Sequence, residues 1–414
     1  MTTPHTGPAL DALNGLSVGD ALGAQFFVPA TARTHLTART TPPGSQDAPW
    51  PWTDDTEMAC SVYAAHTERG GIDVFDLTHA FARRHDFDRG YGPSANRLLR
   101  LIREGGDAKA LAAGLFDGRG SYGNGAAMRV APLGAAYAED PGAVAGPAAD
   151  TATITHTHPQ GVDGAIAVAV AAAFAVRART DAMTPEGFLE SVRDLTPPGA
   201  VRDGLTEAVA LLAESDVAVA ARILGNGSWT SAADTVPYAL WCAARRLTDY
   251  PAAVWAAVSA GGDADTVAAI TGGVVAARTG TAGIPPAWLA AREPLPAWAF
   301  TEPDSVAGGR GGAELLEPRP HPVPDVVWTD AQWQALRTGA LTDRRWSVRT
   351  REGVLRICRA DGRPVWELAV VPGRAGWRPV SALVETCPRH APGDGARLSD
   401  LLPGGAVTGE PRRS

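Results

Sequence analysis

The stretch GAIAVAVAAAFAVRAR at residues 164–179 decides the fold class. It is small-sided nearly all round, with alanine at most positions. A helix of that kind suits the centre of a helical bundle, where neighbouring backbones approach closely. Outward from it, apolar residues recur at three- and four-residue spacing over 75–84, 94–103, 201–213, 238–247 and 252–260. That is the helical period. Proline and glycine clusters at 197–199 and 225–227 separate the runs. No strand–helix alternation appears, which argues against a parallel α/β sheet. Residues from about 10 to 290 thus predict an all-α compact helical bundle.

The apolar run 164–176 is 13 residues, short of the ~20 needed to cross a bilayer. The first residues, MTTPHTGPALDAL, lack a basic region followed by an apolar one, so no secretion signal is read and the expectation is cytoplasmic, with no membrane partner. The chain has 414 residues, a net charge of −8 and 45% hydrophobic residues. Such a composition belongs to an ordinary globular chain of two or three domains, and its acidic balance argues against a nucleic-acid binder. Lys109 is the only lysine, a skew read as genome composition rather than chemistry. Cys60, Cys242, Cys358 and Cys387 form no CxxC pair, so reduced thiols are expected.

Composition changes near residue 301. A first domain is read as 1–300 and a Gly/Pro-rich linker as 301–324, carrying GGRGG and PRPHPVP. Residues 346–358 alternate, Asp361-Gly362 marks a turn, and PVWELAVV follows at 364–371. Alternation on both sides of Asp-Gly predicts a hairpin, so 325–414 is read as a small C-terminal β-containing module of unknown role with a loose tail.

Four motifs can carry chemistry. Thr53-Asp54-Asp55-Thr56 precedes a helical run, and with Glu57 it fits a capping box. Gly261-Gly262-Asp263-Ala264-Asp265-Thr266 repeats the pattern at another probable helix start. Each copy supplies two carboxylates and hydroxyls, the hard oxygen donors that Mg²⁺, Mn²⁺ or Ca²⁺ prefer. If the copies met in space, each close carboxylate pair would repel by about 4 kcal/mol at an effective dielectric near 20, and divalent cations would offset that. The third motif, Gly123-Asn124-Gly125 with Met128, reads either as a tight turn or as a nest of N–H groups approaching a phosphate. A GxGxxG match at 118–123 has neither a strand before it nor a βαβ unit around it and is set aside. The fourth is Thr155-His156-Thr157-His158-Pro159, a loop whose histidines stack on a ligand or simply face solvent.

These pieces, in the order GLSVGDALG (15–23), TDDT, GYG (90–92), GNGAAMR, THTHP, GGDADT and Gly283-Ile284-Pro285, resemble the ADP-ribosylglycohydrolase family over roughly residues 10–292. The resemblance implies a compact all-α fold with two divalent cations, Mg²⁺ or Mn²⁺, at the bottom of a cleft. It implies Thr53, Asp54, Asp55, Asp263, Asp265 and Thr266 as metal ligands, with Asp54 or Asp55 as general acid/base. Gly123, Asn124, Gly125 and Met128 would hold the diphosphate and proximal ribose. His156 and, more weakly, His158 would contact the ligand, and Tyr91 and Gly92 would line the cleft. The implied reaction is hydrolysis of ADP-ribosylated protein or small-molecule substrates, releasing ADP-ribose through an oxocarbenium-like state. Many relatives have Glu shortly after GDALGA, where this chain has Phe27. That departure favours arginine-linked ADP-ribose over Glu-dependent acceptors; an ADP-ribosylated base stays within the class of acceptors. Two alternatives are a catalytically silent ADP-ribose-binding or crystallin-like structural member, and a two-metal phosphohydrolase.

Overall fold

The computed structural model describes residues 7–27, 49–300, 318–320, 329, 346–351, 354–359, 364–373 and 376–385. The chain divides into two compact units, Met1–Thr301 and Glu302–Ser414.

In the first unit we number the helices of eight or more residues. They are α1 (Pro8–Gly23), α2 (Asp54–Arg69), α3 (Val74–Arg84), α4 (Pro93–Arg103), α5 (Ala145–Thr153), α6 (Pro159–Arg177) and α7 (Pro185–Leu195). Then come α8 (Ala200–Ala210), α9 (Val217–Leu224), α10 (Ala232–Arg245), α11 (Tyr250–Ser259) and α12 (Ala264–Thr279). Among the described residues of this unit there is no strand, only the isolated bridges Trp50–Arg292 and Gly123–Ser231.

One crossing positions everything that follows. Gly15, Gly19 and Gly23 stand four residues apart on α1 and face α12. A Cβ at Gly15 would sit 2.3 Å from the Gly272 carbonyl oxygen, at Gly19 2.2 Å from that of Ala268, and at Gly23 2.5 Å from that of Ala264. The partner falls by four as the glycine rises by four, so the helices run antiparallel with backbones in contact. The C-terminal end of α1 is thereby fixed against the N-terminus of α12.

Helix α6 is longer than its apolar run suggests, because His158 caps it and Pro159 opens it. With 19 residues it is long and apolar enough to cross a membrane by length and composition, yet it lies mostly buried among the other helices. Its alanines admit close neighbours: a Cβ at Gly134 would be 2.1 Å from the Ala169 carbonyl oxygen. Cys60 and Cys242 are free and buried.

The second unit holds a five-stranded antiparallel sheet in the order β1-β5-β4-β3-β2. The strands are β1 (Pro318–Pro320), β2 (Trp346–Arg351), β3 (Val354–Arg359), β4 (Pro364–Gly373) and β5 (Gly376–Glu385). Strand β1 falls inside the stretch read as linker. It lies at the sheet's edge, paired to β5 with Arg319 opposite Val384, and an edge tolerates prolines that a central strand does not. The rest of 301–324, the turn at Asp361-Gly362, Cys387 and the tail after 385 lie outside the described residues.

Candidate active site

The site starts at Asp20, on the last turn but one of α1 and fully buried. Its carboxylate accepts from the backbone N–H of Thr53 (2.9 Å) and Thr56 (3.1 Å) and from the hydroxyls of Thr53 (2.8 Å) and Thr56 (2.5 Å). One aspartate thus clamps the whole TDDT turn onto α1 at the start of α2. Asp20 was not among the residues expected to act here; its only sequence signal is a charge inside the apolar run LSVGDALG.

The clamp carries Asp55 to α12. Thr266 donates its hydroxyl to Asp55 Oδ1 at 3.4 Å, and Asp55 Oδ2 is buried with no hydrogen-bond partner. Asp265 accepts from the Thr266 N–H at 2.8 Å. Asp263 occupies the N-cap position of α12 but makes no capping bond; it accepts instead from Asn124 Nδ2 at 2.7 Å. Thr53 is the N-cap of α2, its side chain accepting from Asp55 N–H. Glu57 does not close a capping box. Its carboxylate accepts from the Tyr91 hydroxyl (2.6 Å) and the Asp86 N–H (3.1 Å). The segments around 53–55, 263–266 and 123–125 therefore meet.

Like charges buried together resist ionisation. Burial is the main cause at Asp20, Asp54, Asp55 and Asp265, and it pushes Asp20 up to about 6. Asp54, only partly covered, is pushed up to about 8 by desolvation, then by the charges of Asp20, Asp263 and Glu57. Asp55 and Asp265 stand well above the usual carboxylate range, by burial and then by their acidic neighbours. Among the described residues no group of three or more His, Cys, Asp and Glu is preassembled to hold a metal ion. The donor set is still of the right chemistry: carboxylates and two threonine hydroxyls, with one carboxylate oxygen left without a donor.

A cleft of about 610 Å³ opens onto these residues. Thr53, Asp54, Asp55, Gly92, Gly123, Asn124, Gly125, Met128, His156, Asp263, Asp265 and Thr266 all line it. Two expected members do not. Tyr91 is buried with its hydroxyl on Glu57, so it holds the 86–92 loop against α2 rather than facing the cleft. His158 accepts the Gln160 N–H on Nδ1 at 3.1 Å, capping α6. Phe27 ends the 3₁₀ turn Ala24–Phe27, and its side chain lies outside the described residues. Arg89 braces the rim: its guanidinium stacks over Trp52 at 3.4 Å and makes a two-pronged bond to Glu293 at 2.7 and 2.8 Å. Phe116 and Tyr122, both half-exposed, also border the cleft, with ring centroids 5.9 Å apart.

The sequence profile of the ADP-ribosylglycohydrolase family matches residues 2–311. The mouse (Mus musculus) ADP-ribosylhydrolase ARH3 is 28% identical over 335 residues, covering 71% of this chain and 88% of that protein. An uncharacterized protein of Archaeoglobus fulgidus is 33% identical over 286 residues, covering 66% of this chain and 88% of its own. The ADP-ribosylarginine hydrolase Tri1 of Pseudomonas putida is 27% identical over 297 residues, covering 68% and 73%. Together with a first unit whose described residues form helices and no strand, and whose cleft gathers most of the motif residues, these matches lead to one assignment: the chain belongs to the ADP-ribosylglycohydrolase family, hydrolases of glycosyl bonds.

Proposed function

We propose that this hydrolase cleaves the N-glycosidic bond between ADP-ribose and an arginine side chain, releasing ADP-ribose, with two divalent cations, Mg²⁺ or Mn²⁺, as cofactors. The observation that carries the reading is the meeting of Asp55, Asp263, Asp265 and Asn124 at one cleft, with Asp55 Oδ2 buried and unpartnered. Thr53, Asp54, Asp55, Asp263, Asp265 and Thr266 would hold the cations. Bound there, they would orient the terminal ribose through its hydroxyls and make a bound water more acidic, hence a better nucleophile.

The chain's own residues do the rest. Gly123 and Gly125 keep the loop free of side chains where a diphosphate approaches, and Asn124 ties that loop to Asp263. Met128 and His156 wall the same side. Hydrolysis delivers the hydroxyl of water to the anomeric carbon and a proton to the leaving guanidine nitrogen. Asp54 or Asp55 moves that proton, since both carboxyl groups border the cleft. Arginine as acceptor is supported by Phe27, standing where many relatives have Glu, and by the resemblance to an ADP-ribosylarginine hydrolase.

The test is a manganese-loaded assay on an ADP-ribosyl-arginine peptide, alongside peptides modified at other side chains and an ADP-ribosylated base. Wild type releases ADP-ribose from the arginine conjugate, and Asp54→Asn with Asp55→Asn abolishes it with helical content unchanged. Release undiminished in the double variant refutes the catalytic assignment. Binding of ADP-ribose by wild type without turnover of any conjugate identifies a silent member, and release of phosphate a phosphohydrolase.

A further inference from the structure

His156 is 9% exposed and lines the cleft, with its ring edge between two glycines. A Cβ at Gly123 would lie 3.1 Å from its Nε2, and one at Gly125 3.2 Å. Among the described residues no group is bonded to Nε2. Its other nitrogen, Nδ1, lies 2.7 Å from the Thr155 hydroxyl. Behind that hydroxyl stands Arg129, fully buried. Its Nη2 donates to Thr155 Oγ1 at 3.0 Å and to the Thr151 carbonyl at 2.7 Å, its Nη1 reaches the Met58 sulfur at 3.3 Å, and its guanidinium lies over the Phe81 ring at 4.5 Å. No carboxylate pairs with it among these contacts.

We propose that Arg129 and Thr155 are positioning residues that hold His156 in one tautomer, so that Nε2–H donates a hydrogen bond into the cleft toward an oxygen of bound ADP-ribose. The direction of each bond follows from the chemistry of its donor. A guanidinium only donates, so Thr155 Oγ1 accepts from Arg129. The one hydroxyl proton of Thr155 is then free to point at Nδ1. That nitrogen accepts, and the ring proton must sit on Nε2. The alternative tautomer would bring a second donor to Thr155 Oγ1, beside Arg129, and leave the hydroxyl proton without an acceptor among the described contacts. The nearby positive guanidinium also keeps the ring uncharged: burial first, and then Arg129, lower His156 to about 3. A neutral donor at this place does not compete with cations for the carboxylates.

The identity of the ligand rests on the function proposed above; the tautomer does not. The test uses the full chain. Long-range ¹H–¹⁵N NMR of the ligand-free protein reads the tautomer, the His156 signal being assigned by its loss in His156→Ala. Calorimetric titration with ADP-ribose reads the contact. Wild type and Thr155→Ser show Nε2–H and bind alike. Thr155→Val loses the single tautomer and binds about 3- to 10-fold more weakly, the worth of one hydrogen bond. In a His156→Ala background, Thr155→Val has no further effect. The proposal fails if Thr155→Val keeps both the Nε2–H tautomer and the wild-type Kd, or if its loss of affinity persists undiminished without His156. Wild type that holds the tautomer, loses it in Thr155→Val and takes up no ADP-ribose supports the positioning pair and refutes the ligand assignment alone.

Discussion

Replacing Asp20 by alanine and by asparagine separates two roles of one buried carboxylate. Asp20 accepts from two backbone N–H groups and two hydroxyls, all in the TDDT turn. In Asp20→Ala the hydroxyls can rotate, but the N–H groups of Thr53 and Thr56 cannot. Each buried N–H left without an acceptor costs about 1–3 kcal/mol. The pair, with a small void added, gives a loss of about 3–6 kcal/mol, a large part of the ~5–15 kcal/mol that holds a domain folded. Asparagine behaves differently. Its amide oxygen, placed where Oδ2 stands, still accepts from both N–H groups at the 2.9 and 3.1 Å positions. Its NH₂ then faces the Thr53 hydroxyl, which can accept as well as donate. It also removes one charge from a pocket where Asp20 helps to push Asp54 up. The expected cost of Asp20→Asn is below about 1.5 kcal/mol, the net worth of a single bond. Urea unfolding followed by far-UV circular dichroism, at fixed magnesium concentration, measures both. An alanine variant within 1 kcal/mol of wild type (roughly the error of the extrapolation), or an asparagine variant as damaged as alanine, would refute the clamp.

Two further expectations use other parts of the same frame. Gly19→Ala puts a Cβ 2.2 Å from the Ala268 carbonyl oxygen, so α1 and α12 must separate at a cost of about 1–3 kcal/mol. Calorimetry should show its Tm falling by roughly 2–4 °C for each kcal/mol, while Gly71→Ala, with nothing within 4 Å, stays near wild type; equal Tm values for the two would overturn the close crossing. His158→Ala removes the cap on α6 and should cost about 0.5–2 kcal/mol with KM unchanged within about twofold, whereas His156→Ala raises KM. A raised KM in His158→Ala would mean that this ring reaches the substrate.

The helical character of the first unit was legible because period and alanine content agree over most of its length. The contacts that assemble the site were not, for a physical reason. Asp20 finds its partners 33 and 36 residues away, and a single charge in LSVGDALG does not say what it will meet. Asp54 and Glu57 had capping-box spacing, but Glu57 is taken by Tyr91, 34 residues on. A long-range, charge-assisted bond won over a local one. The same bond turns Tyr91 inward while its neighbour Gly92 stays at the cleft. For Asp263, spacing suggested a cap, but the side chain makes no capping bond and accepts from Asn124, 139 residues away, instead. In the second unit the PRP segment looked like linker because proline cannot donate to a ladder, yet at a sheet edge that donor is not needed.

Why the fold gathers acids at this place follows from the helix ends. Thr53-Asp54-Asp55 opens α2, and Asp263 to Asp265 opens α12. Helix N-termini favour negative charge by about 0.3–1 kcal/mol each at the surface. A close carboxylate pair at an effective dielectric near 20 repels by about 4 kcal/mol, so the two dipoles do not balance it. In the protein alone protonation relieves this strain: Asp54 is pushed up to about 8 by burial first and then by the charges of Asp20, Asp263 and Glu57. In the function proposed above, a divalent cation would compete with those protons for the same oxygens. The glycine contacts hold α1 against α12, and Asp20 on α1 holds the TDDT turn, so the acids of α2 and α12 are kept together. If the site takes the cations proposed above, the close helix crossing and the affinity for them are linked: a variant that loosens the first should weaken the second, even with every aspartate in place.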